Sequence, residues 1–486
     1  MAGWQIILII VLYFGVLMLI SHLTSKGADN RTFFTAEKSS PWYVVAFGMV
    51  GVLLSGVTFL SVPGWVEDKK FSYLQMVLGN VVGYIFIAKI LLPLYYKMNL
   101  TSIYEYLGSR FGSNTRKTGS LFFLISRTVG ASLRLFIVAI VLQELIAKQY
   151  NIPFPVTIGI TILLIWVYTY RGGIKTVVWT DTLQTSFMVV ALIAFLIFLT
   201  GQLGGVSQSL KTINEQGLSQ IFFFDFSDSK SFFQNFISGM FITLVMNGLD
   251  QDIMQKNLTC KNVDEAKKNL ISLSVVFLIV NVLFMILGAM LTVYAQNNGW
   301  DFKGDKLFIG VAKEAPKFLF VLFLLGVIAA AYSSADSALT SLTTSFCVDF
   351  LKIESKPAAE QEKLRKIVHL VFSFNLFAVI LVFNSFSDQS VMWLIFKAAG
   401  YTYGPLLGFY AFGMLTKYKV SDIFIPVIGV TCPIISFILN HYSKDLFGGY
   451  QIGFEILLIN GGLTFLLMFL CNQGKENAEH GKPFKS

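Results

Sequence analysis

Apolar residues in this chain run in unbroken blocks long enough to cross a lipid bilayer, separated by short polar segments. A hydrocarbon core of roughly 30 Å needs about 20 such residues per helix. By that measure the blocks fall at 4–22, 42–66, 72–96, 119–148, 154–170, 176–201 and 235–255. Others follow at 270–295, 316–347, 366–385, 390–415, 420–440 and 450–471. The pattern predicts an all-α polytopic membrane protein with about 13 transmembrane helices, because a spanning segment must satisfy its own backbone hydrogen bonds.

The polar segments orient the blocks. No Lys or Arg precedes the first block, whereas Lys26, Arg31 and Lys38 follow it, and no small-residue cleavage site is apparent. It therefore reads as an anchor rather than a removable signal peptide. The positive-inside rule then puts the N-terminus outside and segment 23–41 in the cytoplasm. Alternating from there, the inner segments hold more than twice as many Lys and Arg as the outer ones, and the C-terminus falls inside. The outer cluster Lys303, Lys306, Lys313 and Lys317 is the exception. The expected location is the plasma (cytoplasmic) membrane. The longest outer connection, about 203–233, carries the aromatic run Phe222–Phe224 and is expected to pack on the bundle's outer face. The tail after Cys471 is polar and expected to be mobile.

Composition narrows the function classes. The 486 residues are 55% hydrophobic and 13% charged, against roughly 25% charged in soluble domains. The net charge of +9 comes from basic clusters between apolar blocks, which fits membrane topology and not nucleic-acid binding. Cys260, Cys347, Cys432 and Cys471 are scattered, with neither a disulfide framework nor zinc spacing. The four histidines are isolated and no H-E-x-x-H occurs, so a soluble enzyme is excluded.

Ionisable residues inside a span cost roughly 2.5–3.5 kcal/mol each on insertion and so mark function. Asp181 lies at the end of the stretch Gly172–Asp181, and Asp336 lies in Ala329–Ser337, well inside the block 316–347. Helical spacing puts Ser333, Asp336 and Ser337 on one face, with Ser334 beside them. A small hard cation such as Na⁺ prefers several oxygen ligands. Hydroxyls joined by carbonyls of an interrupted helix supply them without net charge. The competing reading is packing, since Gly326, Ala330, Ser334 and Ala338 form a small-xxx-small row. Packing does not account for an aspartate on the adjoining face.

The run Gly48–Gly64 contains Gly48, Gly51, Gly56, Gly64 and Pro63 in an otherwise apolar block. Its composition predicts a locally unwound helix whose freed carbonyls face a cavity, the alternative being ordinary small-residue contacts. Gly239 and Gly248 mark a similar weakness in 235–255, and paired broken helices point to a transporter site. Arg134, mid-span, offers a bidentate fork to a carboxylate; it serves either an anionic solute or an internal partner such as Glu144 or an aspartate. Gln75 and Asn80 are candidate solute hydrogen-bonders or polar glue, and Ser55, Thr58 and Asn247 complete the candidate solute set. Lys397 precedes Gly400–Pro405, a place for a gate or kink, and Lys89 reads as a snorkelling lysine.

Four stretches together resemble the sodium/solute symporter family, which includes sodium–glucose, proline, sialic acid, iodide and monocarboxylate cotransporters. They are Ser102–Leu107 with Arg110-Phe111-Gly112, Gly172–Asp181 continuing to Gln184, Asp250-Gln251-Asp252 with Gln255-Lys256, and Ala329–Ser337. The resemblance covers about residues 30 to 415, and the order and separation of the stretches make it specific. It implies a five-plus-five inverted-repeat core at 42–201 and 235–415. The flanking parts would be an N-terminal helix and loop (1–41), an outer connection (202–234) and C-terminal helices and tail (416–486).

The resemblance also implies a main Na⁺ site on the hydroxyls of Ser333 and Ser334 and the carbonyls of Gly51, Leu54 and Ala330. Some relatives have a second Na⁺ site, which here would use Asp181, Ser333, Asp336 and Ser337. Asp336 departs from those relatives, which carry a hydroxyl or apolar residue there; it either strengthens that second site or takes up a proton instead, and it leaves open whether one or two Na⁺ move. Sugar-transporting members carry an acid-and-amide pair in the first broken helix. This chain has Ser55, Thr58 and Ser61 instead, a run closer to the sialic acid and monocarboxylate carriers, whose carboxylates Arg134 would suit. The implied function is Na⁺-coupled symport of a small organic solute (sugar, sialic acid or other carboxylate) by alternating access. The rivals are a proton-coupled carrier of the same fold, and a channel or sensor, for which no filter motif or signalling domain is present. Oligomeric state is not set by these patterns.

Overall fold

The computed structural model describes residues 3–26, 29–170, 172–225, 230–385, 391–450 and 452–475. The polar tail expected to be mobile lies, from residue 476 on, outside the described residues. The helices that matter are α1 (Gly3–Thr24), α2 (Trp42–Leu54), α3 (Gly56–Lys69), α4 (Tyr73–Lys97) and α5 (Ser113–Leu145). They continue with α6 (Phe154–Thr169), α7 (Gly173–Gln202), α8 (Phe232–Gly248), α9 (Gln251–Asn257) and α10 (Val263–Asn297). The last are α11 (Lys317–Phe350), α12 (Ala358–Asn384), α13 (Val391–Leu415), α14 (Phe424–His441) and α15 (Ile456–Leu470).

Among the described residues, eight helices are long and apolar enough to cross a bilayer unaided. Two further pairs pass that test only together: α2 with α3, bent by 55°, and α8 with α9, bent by 70°. α6 and α15 are shorter apolar helices, and the 25-residue α13 carries Pro405 in its interior. Several helices overrun the blocks read from hydropathy. α10 starts at Val263 rather than near 270 because Asn262 accepts a hydrogen bond from the Glu265 N–H, and caps, not apolarity, set helix ends.

Burial separates the lipid face from the centre. α1 and α14 are peripheral and leave Leu12, Leu23, Val427 and Ile434 more than half exposed, as lipid contact allows. α11 is the opposite: every residue from Gly326 to Ser345 is buried. Its run of Ala, Ser and Thr lets neighbours close in on all sides, and several of its hydroxyls bond back within the helix, for example Thr343 to the Leu339 carbonyl at 2.7 Å and Thr344 to the Thr340 carbonyl at 2.9 Å. α11 packs on α7, α7 packs on α2, and α4 packs on α8. At the last contact Gly79 and Gly239 interlock: a Cβ on Gly79 would lie 2.0 Å from the Phe236 carbonyl, and one on Gly239 2.1 Å from that of Met76.

The stretch around Ser102–Gly112 is a clasp. Gln251 accepts from the Ile103 N–H at 2.9 Å and donates to the Thr101 carbonyl at 2.9 Å. Tyr104 donates to the Leu249 carbonyl at 3.0 Å, and Arg110 reaches the carbonyls of Thr416 and Tyr418. The second broken pair is thereby tied to the loop after α4. On the opposite connection, Phe222 and Phe224 stack on each other beside Phe232 and remain partly exposed.

Candidate ion and solute site

The first break opens at Ser55, whose backbone sits at φ +30° and ψ 167°. Such a φ is costly for a residue with a Cβ, and the following Gly56 lets the chain restart as α3. No side chain caps α3. The turn is nevertheless bridged by the Ser55 N–H, which donates to the Gly51 carbonyl at 3.1 Å. α2 is held against α7 at its glycines. Thr185 receives a hydrogen bond from the Gly51 N–H and donates to the Gly48 carbonyl, both at 3.1 Å. A Cβ on Gly51 would lie 2.2 Å from that hydroxyl.

α11 passes the other side of this turn. Ala330, Ser333 and Ser334 are fully buried there, and the Ser334 hydroxyl donates to the Val52 carbonyl at 3.4 Å. The structure therefore brings the α11 hydroxyls to the end of α2. The carbonyl that Ser334 meets is Val52, one residue from Gly51; neither the Gly51 nor the Leu54 carbonyl bonds it. Rotation of the last turn of α2 decides this, and the sequence carries no signal for it.

A charged cluster adjoins the hydroxyls. The Ser333 hydroxyl donates to Asp181 Oδ1 at 2.6 Å, and Lys256 Nζ, from α9, donates to Asp181 Oδ2 at 2.6 Å. Lys256 also donates to the Ser337 hydroxyl. Asp336 faces elsewhere: Oδ2 accepts from the Tyr168 hydroxyl at 2.8 Å and from Thr180 at 3.5 Å, while Oδ1 accepts from the Ser337 N–H at 2.6 Å. Among the described residues no group of three or more His, Cys, Asp or Glu is placed to hold a metal. What is available to a cation here is hydroxyl and carbonyl oxygen, suited to a hard monovalent ion.

A cavity lies beside the first break, lined by Ser55, Thr58, Asn80, Arg127, Arg134 and Asn247 among others. Arg134 makes no hydrogen bond or ion pair among the described residues. Its internal partners are otherwise engaged, since Glu144 pairs with Lys148 at the surface and Asp252 pairs with Arg127. Asn80 is partly committed: with its amide turned so that the nitrogen faces α8, it donates to the Gly239 carbonyl at 2.8 Å and to Thr243 at 3.0 Å. Gln75 is not at the cavity. It is fully buried and donates to the Ser72 and Lys230 carbonyls while accepting from the Phe223 N–H, so it ties the 203–233 connection to α4.

The second break, after Leu249, is built from charge. Asp250 caps α9 by accepting from the Asp252 and Ile253 N–H groups and also accepts from the Tyr403 hydroxyl. Asp252 is fully buried against Arg127. Sequence reasoning overlooked Lys256 and Arg127 as site residues. Arg127 was findable, because it lies seven residues before Arg134 and so on the same helical face. Lys256 reads as an ordinary inner-loop base, and only the fold turns it inward.

The sequence model of the sodium:solute symporter family matches residues 33–420. The sodium/sialic acid symporter NanT of Aliivibrio fischeri is 27% identical over 454 residues, covering 90% of this chain and 88% of that protein. The sodium/sialic acid symporter SiaT of Proteus mirabilis is 27% identical over 466 residues, covering 90% of each. Among solved structures, a substrate-bound outward-open Na⁺-coupled sialic acid symporter superposes with a TM-score of 0.82 at 21% identity, covering 96% of this chain and 97% of that one.

Proposed function

This chain belongs to the sodium:solute symporter family, a multi-pass membrane carrier that couples Na⁺ to the movement of a small solute, and from there we propose that its solute is a small organic carboxylate received by Arg134. The observation that carries the proposal is the guanidinium itself: inside the membrane-length helix α5, lining the cavity and without a protein partner among the described residues. An uncompensated charge in the membrane interior is expensive, and a carboxylate would neutralise it through two parallel hydrogen bonds. Ser55, Thr58, Asn80 and Asn247 would receive the rest of the solute. The NanT and SiaT relatives carry sialic acid, a carboxylate, which supports the same class here.

Na⁺ would bind between the end of α2 and the Ser333–Ser334 step of α11, with carbonyls of Gly51 to Leu54 and of Ala330 completing the shell. Asp181, Ser333, Asp336 and Ser337 form the second candidate cluster. The α2–α7 and α8–α13 segments, each opening with a bent pair, are read as the two halves of a five-plus-five inverted repeat. Together with α1, α14 and α15 they make thirteen crossings, the N-terminus outside and the C-terminus inside the plasma membrane. Na⁺ bound first would favour the outward-open state, and linkage requires that it bind more tightly in the state that also binds solute.

Uptake into proteoliposomes tests the solute. An imposed Na⁺ gradient should accumulate sialic acid or a monocarboxylate, and neither glucose nor an imposed pH gradient alone should substitute. Arg134→Lys keeps the charge but loses the fork. It should raise the KM for the carboxylate by about 10–100-fold, the loss expected for charged hydrogen bonds of about 1.5–3 kcal/mol, while Na⁺ binding without solute is unchanged. An unaltered KM in that variant would remove Arg134 from the solute site.

A further inference from the structure

We propose that the Lys256 ammonium is a built-in occupant of the second cation position, so that the carrier binds and moves a single Na⁺ per cycle. This rests on the Na⁺-coupled reading above and converts it into a stoichiometry. Four side chains compose the second candidate cluster, and three are already committed to Lys256 or to each other. Asp181 receives the ammonium on one oxygen and the Ser333 proton on the other, at 2.6 Å each. Ser337 receives a second ammonium hydrogen. Asp336, the fourth, is turned to Tyr168 and to the Ser337 N–H.

Lys256 and Asp181 are each 1% exposed, so bulk solvent does not reach the pair to screen a second cation from the first. An ammonium and Na⁺ carry the same unit charge, and in a dry interior like charges at contact distance exclude one another. Lys256 is also fixed at its root. α9 is capped by Asp250, the adjacent Gln255 donates to the Phe34 carbonyl at 2.7 Å and to Thr344 at 2.9 Å, and the Lys256 carbonyl accepts from Thr259 at 2.7 Å. The tether holds the ammonium where a mobile ion would otherwise sit.

The same hydrogen-bond directions leave the main position free. The Ser333 proton goes to Asp181 and the Ser334 proton to Val52, so the lone pairs of both hydroxyls remain for one ion. Lys256 therefore does two things. It neutralises Asp181, and through Asp181 it orients Ser333 as an acceptor for the neighbouring Na⁺.

The count of bound ions tests this directly, using radioactive Na⁺ and the full-length chain in nanodiscs, without solute. Wild type and Lys256→Arg should each bind one Na⁺ at saturation, Lys256→Ala two, and the double variant Lys256→Ala with Asp181→Asn one again. Two ions on the wild type, or one on a Lys256→Ala protein with cooperative thermal unfolding, would overturn the proposal. If Lys256→Ala does not fold, Asp181→Asn alone decides: a fall from two ions to one refutes it, and one ion in both proteins supports it. No saturable Na⁺ on the wild type would instead overturn the Na⁺-coupled reading.

Discussion

The two broken helices of this protein reach similar bends by different chemistry. Between α2 and α3 the chain turns on Ser55 at φ +30° followed by Gly56, with no capping side chain. Between α8 and α9 it turns on Asp250, which caps α9 and bonds Tyr403, while Asp252 pairs with Arg127 and Lys256 with Asp181. The first break leaves neutral oxygens facing the cavity and the α11 hydroxyls; the second is knotted by buried charges. A binding site needs groups that are not already paired, and a scaffold needs groups that are. On the function proposed above, binding falls to the first break and rigidity to the second.

The largest effect should come from undoing the second knot. Arg127→Met leaves Asp252 buried without its cation, and removing one partner of a buried pair costs about 3–5 kcal/mol. The expected result is a much lower unfolding temperature in detergent, largely restored by adding Asp252→Leu. If Arg127→Met matches wild type, the charges there are not structural.

Next in size is Ser334→Ala at the first break. It removes one oxygen from the α11 side, and losing a contact of about 1.5–3 kcal/mol to an ion weakens binding by about 10–100-fold. Na⁺-driven uptake should need correspondingly more Na⁺, while the amount of inserted protein is unchanged. An unshifted Na⁺ dependence would dissociate α11 from the ion.

The smallest expected change is Ser55→Gly. Glycine adopts positive φ without steric cost but adds freedom to the unfolded chain. The two terms oppose, and the free energy of unfolding should change by less than about 1 kcal/mol. Ser55→Val should destabilise clearly, because a β-branched residue resists that φ. Equal stability of the two variants would mean that the turn does not need its strained backbone.

Much of the architecture was legible along the chain because membrane insertion is local physics. Apolar blocks marked the long helices from α1 to α15, and the glycine-rich run from Gly48 to Gly64 pointed to the first break. The hydroxyls of α11 declared their shared face through helical spacing alone. Arg134 stood out because a guanidinium in an apolar block has no cheap explanation. Gln75 misled for the complementary reason: a polar residue beside a cavity looks the same in sequence as one that fastens a loop.

The sequence by itself determined that the chain lives in a bilayer, where its helices run, and which helix is small enough to be surrounded on all sides. These follow from hydropathy and side-chain volume, which act within one helix. Only the tertiary structure decided that Ser334 meets Val52 across 282 residues and that Lys256 reaches Asp181 across 75. Such meetings depend on how each helix is rotated about its axis, and that rotation is set by packing against neighbours that no stretch of one helix encodes.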